Sequence, residues 1–495
     1  MKIVLLLVAA ALSGSPALAR SCESLDQLSL PNGAITSRQV VAAGLMPLSE
    51  GPGSRRLYLT VPAFCRISAT LKPSPDSDIK IEVWMPESGW NGKFQAVGNG
   101  AWAGTIAYPA LAAALNAGYA TASTDTGHAG NTGVFILGHP EKLTDFAYRA
   151  VHEMTVAAKS IVNSYYGTAP KHSYWNGCST GGRQALAEAQ RYPEDYDGII
   201  AGAPAGYTTH LQGMQVWVEQ ATHENESSYI PPAKYTLIHN AVLAACDALD
   251  GVKDGVLEDP TLCKFDPRVL ACRESDSASC LTDPQVELAR KMYSGPGSVF
   301  PGYEPGSELG WASHAGPKPS DYSVGIFKYA VFGDPDWNYL TFDLERDVDH
   351  ADRVASDMNA IDPNLKPFLV RGGKLLQYHG WSDPGIPPLS SVNYYNQVME
   401  HMNTVSSLMK ASFYRLFMVP GMGHCRGGEG TDTFDMVSAL EQWVEKGTAP
   451  EQIPASRIVD GKVVRTRPLC PYPQVAVYKG SGSTDDASNF LCRER

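Results

Sequence analysis

From residue 78 to 204, short apolar runs alternate with stretches of helical period. Ile79 to Met85 and Phe94 to Val97 read as strands, the second ending in Gly98-Asn99-Gly100, and Tyr119 to Thr124 reads as a third. Asp145 to Tyr166 carries Phe146, Val151, Met154, Val156, Ala157 and Ile161 at helical spacing. Ser173 to Asn176 is a strand that runs into Gly177-Cys178-Ser179, Gly182 to Arg191 is an Ala-rich helix, and Gly198 to Ala203 is a buried-type strand. This alternation predicts a largely parallel sheet with helices on both faces. The rhythm breaks from 206 to 360, which holds four of the ten cysteines, many Pro and Gly residues and few clear strands. It resumes with strands at Lys374 to Tyr378 and Phe413 to Val419. A helix follows over Phe434 to Lys446, with Met436, Leu440, Trp443 and Val444 on one face. The expected organisation is a core domain in two pieces, 20–205 and 361–495, with a lid domain of residues 206–360 inserted between them.

Composition narrows the class. Of 495 residues 43% are hydrophobic and 19% charged, which is globular rather than disordered. The 46 Gly and 35 Pro point to many turns and long connections. The net charge is −12 and no basic run exists, which argues against a nucleic-acid partner. Residues 1–19 have the form of a cleaved signal peptide. Lys2 supplies a short positive end, Ile3 to Leu12 is an apolar run too short to span a bilayer, and Ala17-Leu18-Ala19 is a small-x-small cleavage site. The mature chain then starts near Arg20, in the periplasm or outside the cell. No other stretch approaches a membrane span. Ten cysteines without a C-x2-C pair argue for five disulfides rather than zinc. Their pairing is open from sequence. Proximity makes Cys246–Cys263, Cys272–Cys280 and Cys470–Cys492 candidate local loops.

Gly177-Cys178-Ser179-Thr180-Gly181 matches G-x-S-x-G, the nucleophile elbow of α/β-hydrolases, and lies between a strand and a helix as that elbow must. The helix behind the serine points its positive end at a developing oxyanion, and the Thr180 N–H can donate to it. A serine needs a base, and the base an orienting acid, which in this architecture follow in the order Ser, Asp, His. Asp383, in the loop after Tyr378, is the candidate acid. His424, in the loop after Val419, is the candidate base. His128, His172, Asp125 and Asp197 come in the wrong order, and His379 is placed to shape the acid loop. Cys178 precedes the serine and Cys425 follows the histidine, so a bridge between them would fasten the elbow to the histidine loop.

These segments resemble the tannase and feruloyl esterase family, which also includes mono(2-hydroxyethyl) terephthalate hydrolases. The resemblance rests on Gly177 to Gln184, His379 to Pro384, Gly421 to Cys425 and the Ser123 to His128 run, and it covers essentially the whole mature chain. It implies an α/β-hydrolase core with a lid inserted between nucleophile and acid. It also implies the pairs Cys178–Cys425, Cys22–Cys65, Cys246–Cys263, Cys272–Cys280 and Cys470–Cys492, and a second oxyanion donor in Gly98-Asn99-Gly100, at the Gly100 N–H. The resemblance further implies a structural calcium ion in the lid, held by Asp247, Asp250 and Asp254 and the carbonyls of Val252 and Val256. Those hard oxygens are ones calcium accepts, and Gly251 and Gly255 permit the tight turns. No organic cofactor is expected. The implied substrate is an aromatic ester: hydroxycinnamoyl (feruloyl-type) first, galloyl second, a terephthalate monoester third. The lid aromatics Trp217, Trp311, Trp337 and Tyr339 fit lid core as well as a pocket. The rival classes are an inactive binding protein on the same fold, which the intact triad argues against, and a serine peptidase or lipase. The lid's expected disulfides and calcium argue against a mobile lipase lid. Oligomeric state is not readable from the sequence.

Overall fold

A computed structural model describes residues 21–45, 57–402 and 412–494. The expected signal peptide lies outside them. Nine strands form the central sheet: β1 (Gly33–Val41), β2 (Phe64–Leu71), β3 (Ile79–Pro86), β4 (Lys93–Val97), β5 (Ala120–Thr124), β6 (His172–Cys178), β7 (Gly198–Gly202), β8 (Lys374–Gly380) and β9 (Tyr414–Val419). Their order is β1-β2-β3-β5-β4-β6-β7-β8-β9. The run from β5 to β9 is parallel, and β1, β2 and β3 are joined antiparallel at one edge. With helices on both faces this is the α/β-hydrolase fold.

Both faces are covered because the parallel strands are apolar on both sides. β5 and β7 are buried at every position. Helices α1 (Tyr108–Asn116), α2 (Ala150–Tyr166) and α3 (Thr180–Arg191) follow β4, β5 and β6. On α2, Val151, Met154, Ala158, Ile161, Val162 and Tyr165 pack with α3 onto one face of the sheet. The Val, Met and Ile side chains among them contribute about 1.5–3 kcal/mol each. Val156 belongs to the same apolar pattern but faces solvent. Gly167, at φ 71°, ends the helix in the left-handed conformation that L side chains avoid. On the opposite face, Leu440 and Trp443 of a late helix cover Ile200 and Leu376.

The chain leaves the sheet at Gly202 and returns at Lys374, although β7 and β8 are direct neighbours. Between them lie helices α4 (Thr208–His223), α5 (Tyr235–Cys246), α6 (Asp283–Ser294) and α7 (Leu344–Val354), and no named strand. They have apolar centres of their own around Leu211, Met214, Ile238, Leu288 and Trp311, and around Phe327, Phe342 and Val348. Trp311 is fully buried there, while Trp217, Trp337 and Tyr339 pack at the edges of these clusters. After β9 comes α8 (Met436–Lys446), capped by Asp435, whose carboxylate accepts from the Ser438 N–H. Three further strands, β10 (Thr433–Phe434), β11 (Ile453–Val459) and β12 (Lys462–Leu469), make a small antiparallel sheet. A hairpin of β13 (Val475–Tyr478) and β14 (Phe490–Arg493) closes the chain.

Candidate active site

Ser179 stands between β6 and α3 with φ 65° and ψ −121°, a backbone conformation costly for a residue with a Cβ. The surrounding structure enforces it. A Cβ on Gly177 would come within 2.5 Å of the Gly181 carbonyl oxygen, and one on Gly182 within 2.2 Å of that of Gly202. The glycines let β6 turn straight into α3, and the Ser179 N–H is tied to Gly202 O at 2.9 Å.

Thr180 is the first residue of α3, so its N–H has no intrahelical acceptor and is directed out of the helix end. The loop after β4 lies against this end. Gly181 N donates to Asn99 O at 2.8 Å, Thr180 Oγ1 donates to Ala101 O at 2.8 Å, and the Asn99 side chain is locked by Gln184, Thr105 and Thr124. Gly100 therefore sits between residues that touch the elbow helix, and the space beside its Cα is open.

Asp383 follows β8 and is fully buried. Its Oδ1 accepts the N–H groups of Gly385 (2.7 Å) and Ile386 (2.9 Å). Its Oδ2 accepts from His424 Nδ1 at 2.7 Å and His379 Nε2 at 3.0 Å. Burial pushes the carboxyl up, but the charges and hydrogen bonds of the two histidines outweigh it and hold it well below the ordinary carboxylate range. Asp383 is thus an anion at neutral pH. His379 Nε2 also faces Ile386 O at 3.0 Å, so it is the protonated nitrogen. Its Nδ1 accepts from Ser391, which in turn receives Gln377. That makes His379 a clamp on the acid loop.

His424 follows β9, with its side chain a third exposed. Burial lowers its pKa, and the charge and hydrogen bond of Asp383 raise it further than burial lowers it. With Nδ1 committed to Asp383, Nε2 is the edge left for proton transfer. The Cys178–Cys425 disulfide, with Cα atoms 6.1 Å apart, joins the residue before the serine to the residue after the histidine. The other bridges are Cys22–Cys65, Cys246–Cys263, Cys272–Cys280 and Cys470–Cys492. Of the residues placed outside the triad by order, His128 is held by Trp102 O and stacked on Phe135, and His172 lies 4.0 Å from Asp197. Asp125 accepts the N–H groups of Lys80 and Gly127.

A further cluster carries no motif. His239 on α5 donates to Glu308 at 2.8 Å and to Glu429, five residues after His424, at 2.6 Å. Burial lowers its pKa, but the two carboxylates outweigh that and lift it to about 9. This cation ties the inserted segment to the histidine loop. His239 and Glu429 line a cavity of about 270 Å³ that His424, Ser382 and Pro384 also line.

The residues expected to hold calcium share one short loop that turns at Gly251 (φ 90°) and Gly255 (φ 79°). Asp250, Val252, Asp254 and Val256 line one small cavity of about 20 Å³, and Asp247 is buried behind them. The donors are oxygens throughout and lie together, which suits a hard cation. The three carboxylates are not drawn to within 4.8 Å of one another. Asp247 accepts the N–H groups of Asp254 and Gly255, and Asp254 is paired with Arg467 of β12, with Arg465 at 3.8 Å. A bound ion would have to close the loop and share Asp254 with an arginine.

The chain matches the family model described as tannase and feruloyl esterase over residues 65–493. A probable feruloyl esterase B-1 of Aspergillus oryzae is 34% identical over 95% of this chain and 92% of its own length. An uncharacterized esterase of Xanthomonas campestris is 37% identical over 95% and 91%. Among solved structures, feruloyl esterase B from Aspergillus oryzae superposes with a TM-score of 0.88 at 33% identity, covering 95% of this chain and 99% of that one.

Proposed function

Because the chain belongs to the tannase and feruloyl esterase family and is an esterase of it, we propose that it cleaves aromatic carboxylic esters through a feruloyl-type acyl-enzyme on Ser179. The observation that carries this reading is the Asp383–His424 hydrogen bond of 2.7 Å, on a loop that the Cys178–Cys425 bridge fastens to the serine elbow. His424 Nε2 takes the Ser179 proton as Oγ attacks the ester carbonyl. Asp383 holds the imidazole in the required tautomer and stabilises its cation. The N–H groups of Thr180 and Gly100 bind the oxyanion. Collapse of the tetrahedral species breaks the bond to the alcohol, which leaves with the proton from His424. Water then gives a proton to His424 as it adds to the acyl carbonyl, the bond to Ser179 Oγ breaks, His424 returns the proton to Oγ, and the acid leaves.

Hydroxycinnamoyl esters lead the proposed substrates, in line with the relatives named feruloyl esterase. Galloyl esters come second. A terephthalate monoester comes last, since its free carboxylate needs a cationic partner. Asp247, Asp250, Asp254 and the carbonyls of Val252 and Val256 are proposed to hold a calcium ion, which would brace the inserted segment and take no part in the reaction. Five disulfides suit an oxidising compartment, and no helix among the described residues is long and apolar enough to cross a membrane, so we place the protein outside the cytoplasm. The test is kcat/KM on methyl ferulate, methyl caffeate, methyl gallate and mono(2-hydroxyethyl) terephthalate. A preference of about tenfold for ferulate or caffeate, or about 1.4 kcal/mol, establishes the hydroxycinnamoyl reading. A preference for gallate or the terephthalate ester keeps the mechanism and replaces the substrate.

A further inference from the structure

Helix α4 carries a row of buried polar side chains, one of which reaches the acid loop. Gln215 and Glu219, one turn apart, are each 1% exposed. Gln215 Nε2 donates to Gly385 O at 2.8 Å, two residues from Asp383, and lies 3.3 Å from His314 Nε2. Glu219 Oε1 accepts the Ser320 N–H at 2.9 Å and lies 3.9 Å from His314 Nδ1. Tyr303 is 1% exposed, and its phenol is raised by burial and then by the charges of Asp383 and Glu219. At the other end of the row, the Tyr322 phenol faces Gln212 and Thr180, the oxyanion end of the elbow helix.

Three oxygens of this cluster have no hydrogen-bond partner among the described residues: Glu219 Oε2, Gln215 Oε1 and the Tyr303 hydroxyl. A buried acceptor left unmade costs about 1–3 kcal/mol, and more when it belongs to a charged group. Among the described residues no arginine or lysine is paired with Glu219, and the basic group near it is His314. Such a cost persists where a ligand supplies the missing donor.

We propose that Glu219, with Gln215 and Tyr303 beside it, is the subsite that reads a hydroxyl on the ring of the acyl group. This rests on the reading of Ser179 as the nucleophile of an aromatic esterase. A neutral phenol brings one proton, and the open carboxylate oxygen of Glu219 accepts it in a charge-assisted bond. A ring bearing a second carboxylate meets like charge in a buried site and is disfavoured. The subsite therefore selects hydroxylated aromatic acids over both plain cinnamate and terephthalate monoesters.

The test compares methyl 4-hydroxycinnamate with methyl 4-methoxycinnamate, which has the same shape at that position but no proton to donate. The unaltered protein should prefer the hydroxy ester by about tenfold in kcat/KM. Glu219→Gln, which keeps an acceptor but removes the charge, should shrink that ratio by about the same factor. It should also raise mono(2-hydroxyethyl) terephthalate relative to the hydroxy ester. A ratio near one in the unaltered protein overturns the proposal without any variant, so it stays testable should Glu219→Gln misfold. Equal loss on both esters in Glu219→Gln, with the ratio unmoved, overturns it as well and leaves Glu219 a structural or water-binding group. No turnover of either ester removes the aromatic-esterase reading itself, whereas turnover with no discrimination removes only the role of Glu219.

Discussion

Replacing Cys178 and Cys425 together by serine separates the two jobs of that bridge. The cysteines are 247 residues apart in sequence, and the shorter crosslinks nested inside, spanning 17 and 8 residues, change the logarithm of loop length little. The chain-entropy relation then gives about 5.5 kcal/mol of stabilisation. Unfolding entropy near 2.1 cal/mol/K per residue makes about 1 kcal/mol/K for 495 residues, so Tm should fall by about 5 °C. The effect on activity has a different origin. Ser179 and Cys425 both hold positive φ, 65° and 64°, beside the bridge, and cutting it should let the histidine loop shift against the elbow. A shift of about 1 Å between nucleophile and base costs on the order of 100-fold in rate. Calorimetry gives Tm, and kcat on methyl ferulate at 25 °C, where the variant is still folded, gives the second quantity. The expected result is a modest fall in Tm with a kcat loss of about 10- to 100-fold. A lower Tm with kcat within about twofold of the parent would show that the bridge stabilises without positioning, and would refute the reasoning.

The Glu308–His239–Glu429 clamp gives stability a definite pH dependence. Its histidine rises from 6.5 to about 9 on folding, so its contribution is complete below pH 6.5 and is lost as pH climbs through 9. At most about 3 kcal/mol is at stake. Urea unfolding from pH 6.5 to 9.5 should show a decline that is smaller in the neutral pair His239→Gln with Glu308→Gln, and an equal decline in both would rule the clamp out. For catalysis, His424 must be neutral to act as base. Asp383 raises its pKa, so kcat/KM should climb with pH along a limb centred above 6.5. Asp383→Asn should cost about 10⁴-fold in kcat through the wrong tautomer, and a loss below about tenfold would remove Asp383 from the triad. Chelation by EDTA should lower Tm without changing kcat of the folded protein. An unchanged Tm together with no bound calcium by elemental analysis would leave Arg467 and Arg465 as the counter-charges of Asp254.

The sequence was most legible where chemistry and structure are local. The strands β5 and β7 stand out because parallel strands covered on both faces are short unbroken apolar runs between turn residues. β1 does not, because most of Thr36 to Val40 is solvent-exposed edge with no clean alternation. The elbow glycines, the acid loop and the histidine loop each carry their signal within a few residues. The double hold on Asp383 could be read only as far as His379 belonging to its loop. Gln215 and Glu219 are polar positions with no motif around them, and the structure buries both. Polar periodicity cannot distinguish solvent from a substrate-facing interior. The arginines at the calcium-type loop lie more than 200 residues away on β12, and no local pattern announces a pairing set by the return of the chain.

The central claim is that one serine does the chemistry, and it is tested most directly by kcat/KM for methyl ferulate in Ser179→Ala against the parent protein, with both shown to be folded. The account expects a loss of about 10⁴-fold or more, to a residue set by binding and the oxyanion donors alone. Turnover retained within about tenfold of the parent would contradict it and place the nucleophile elsewhere.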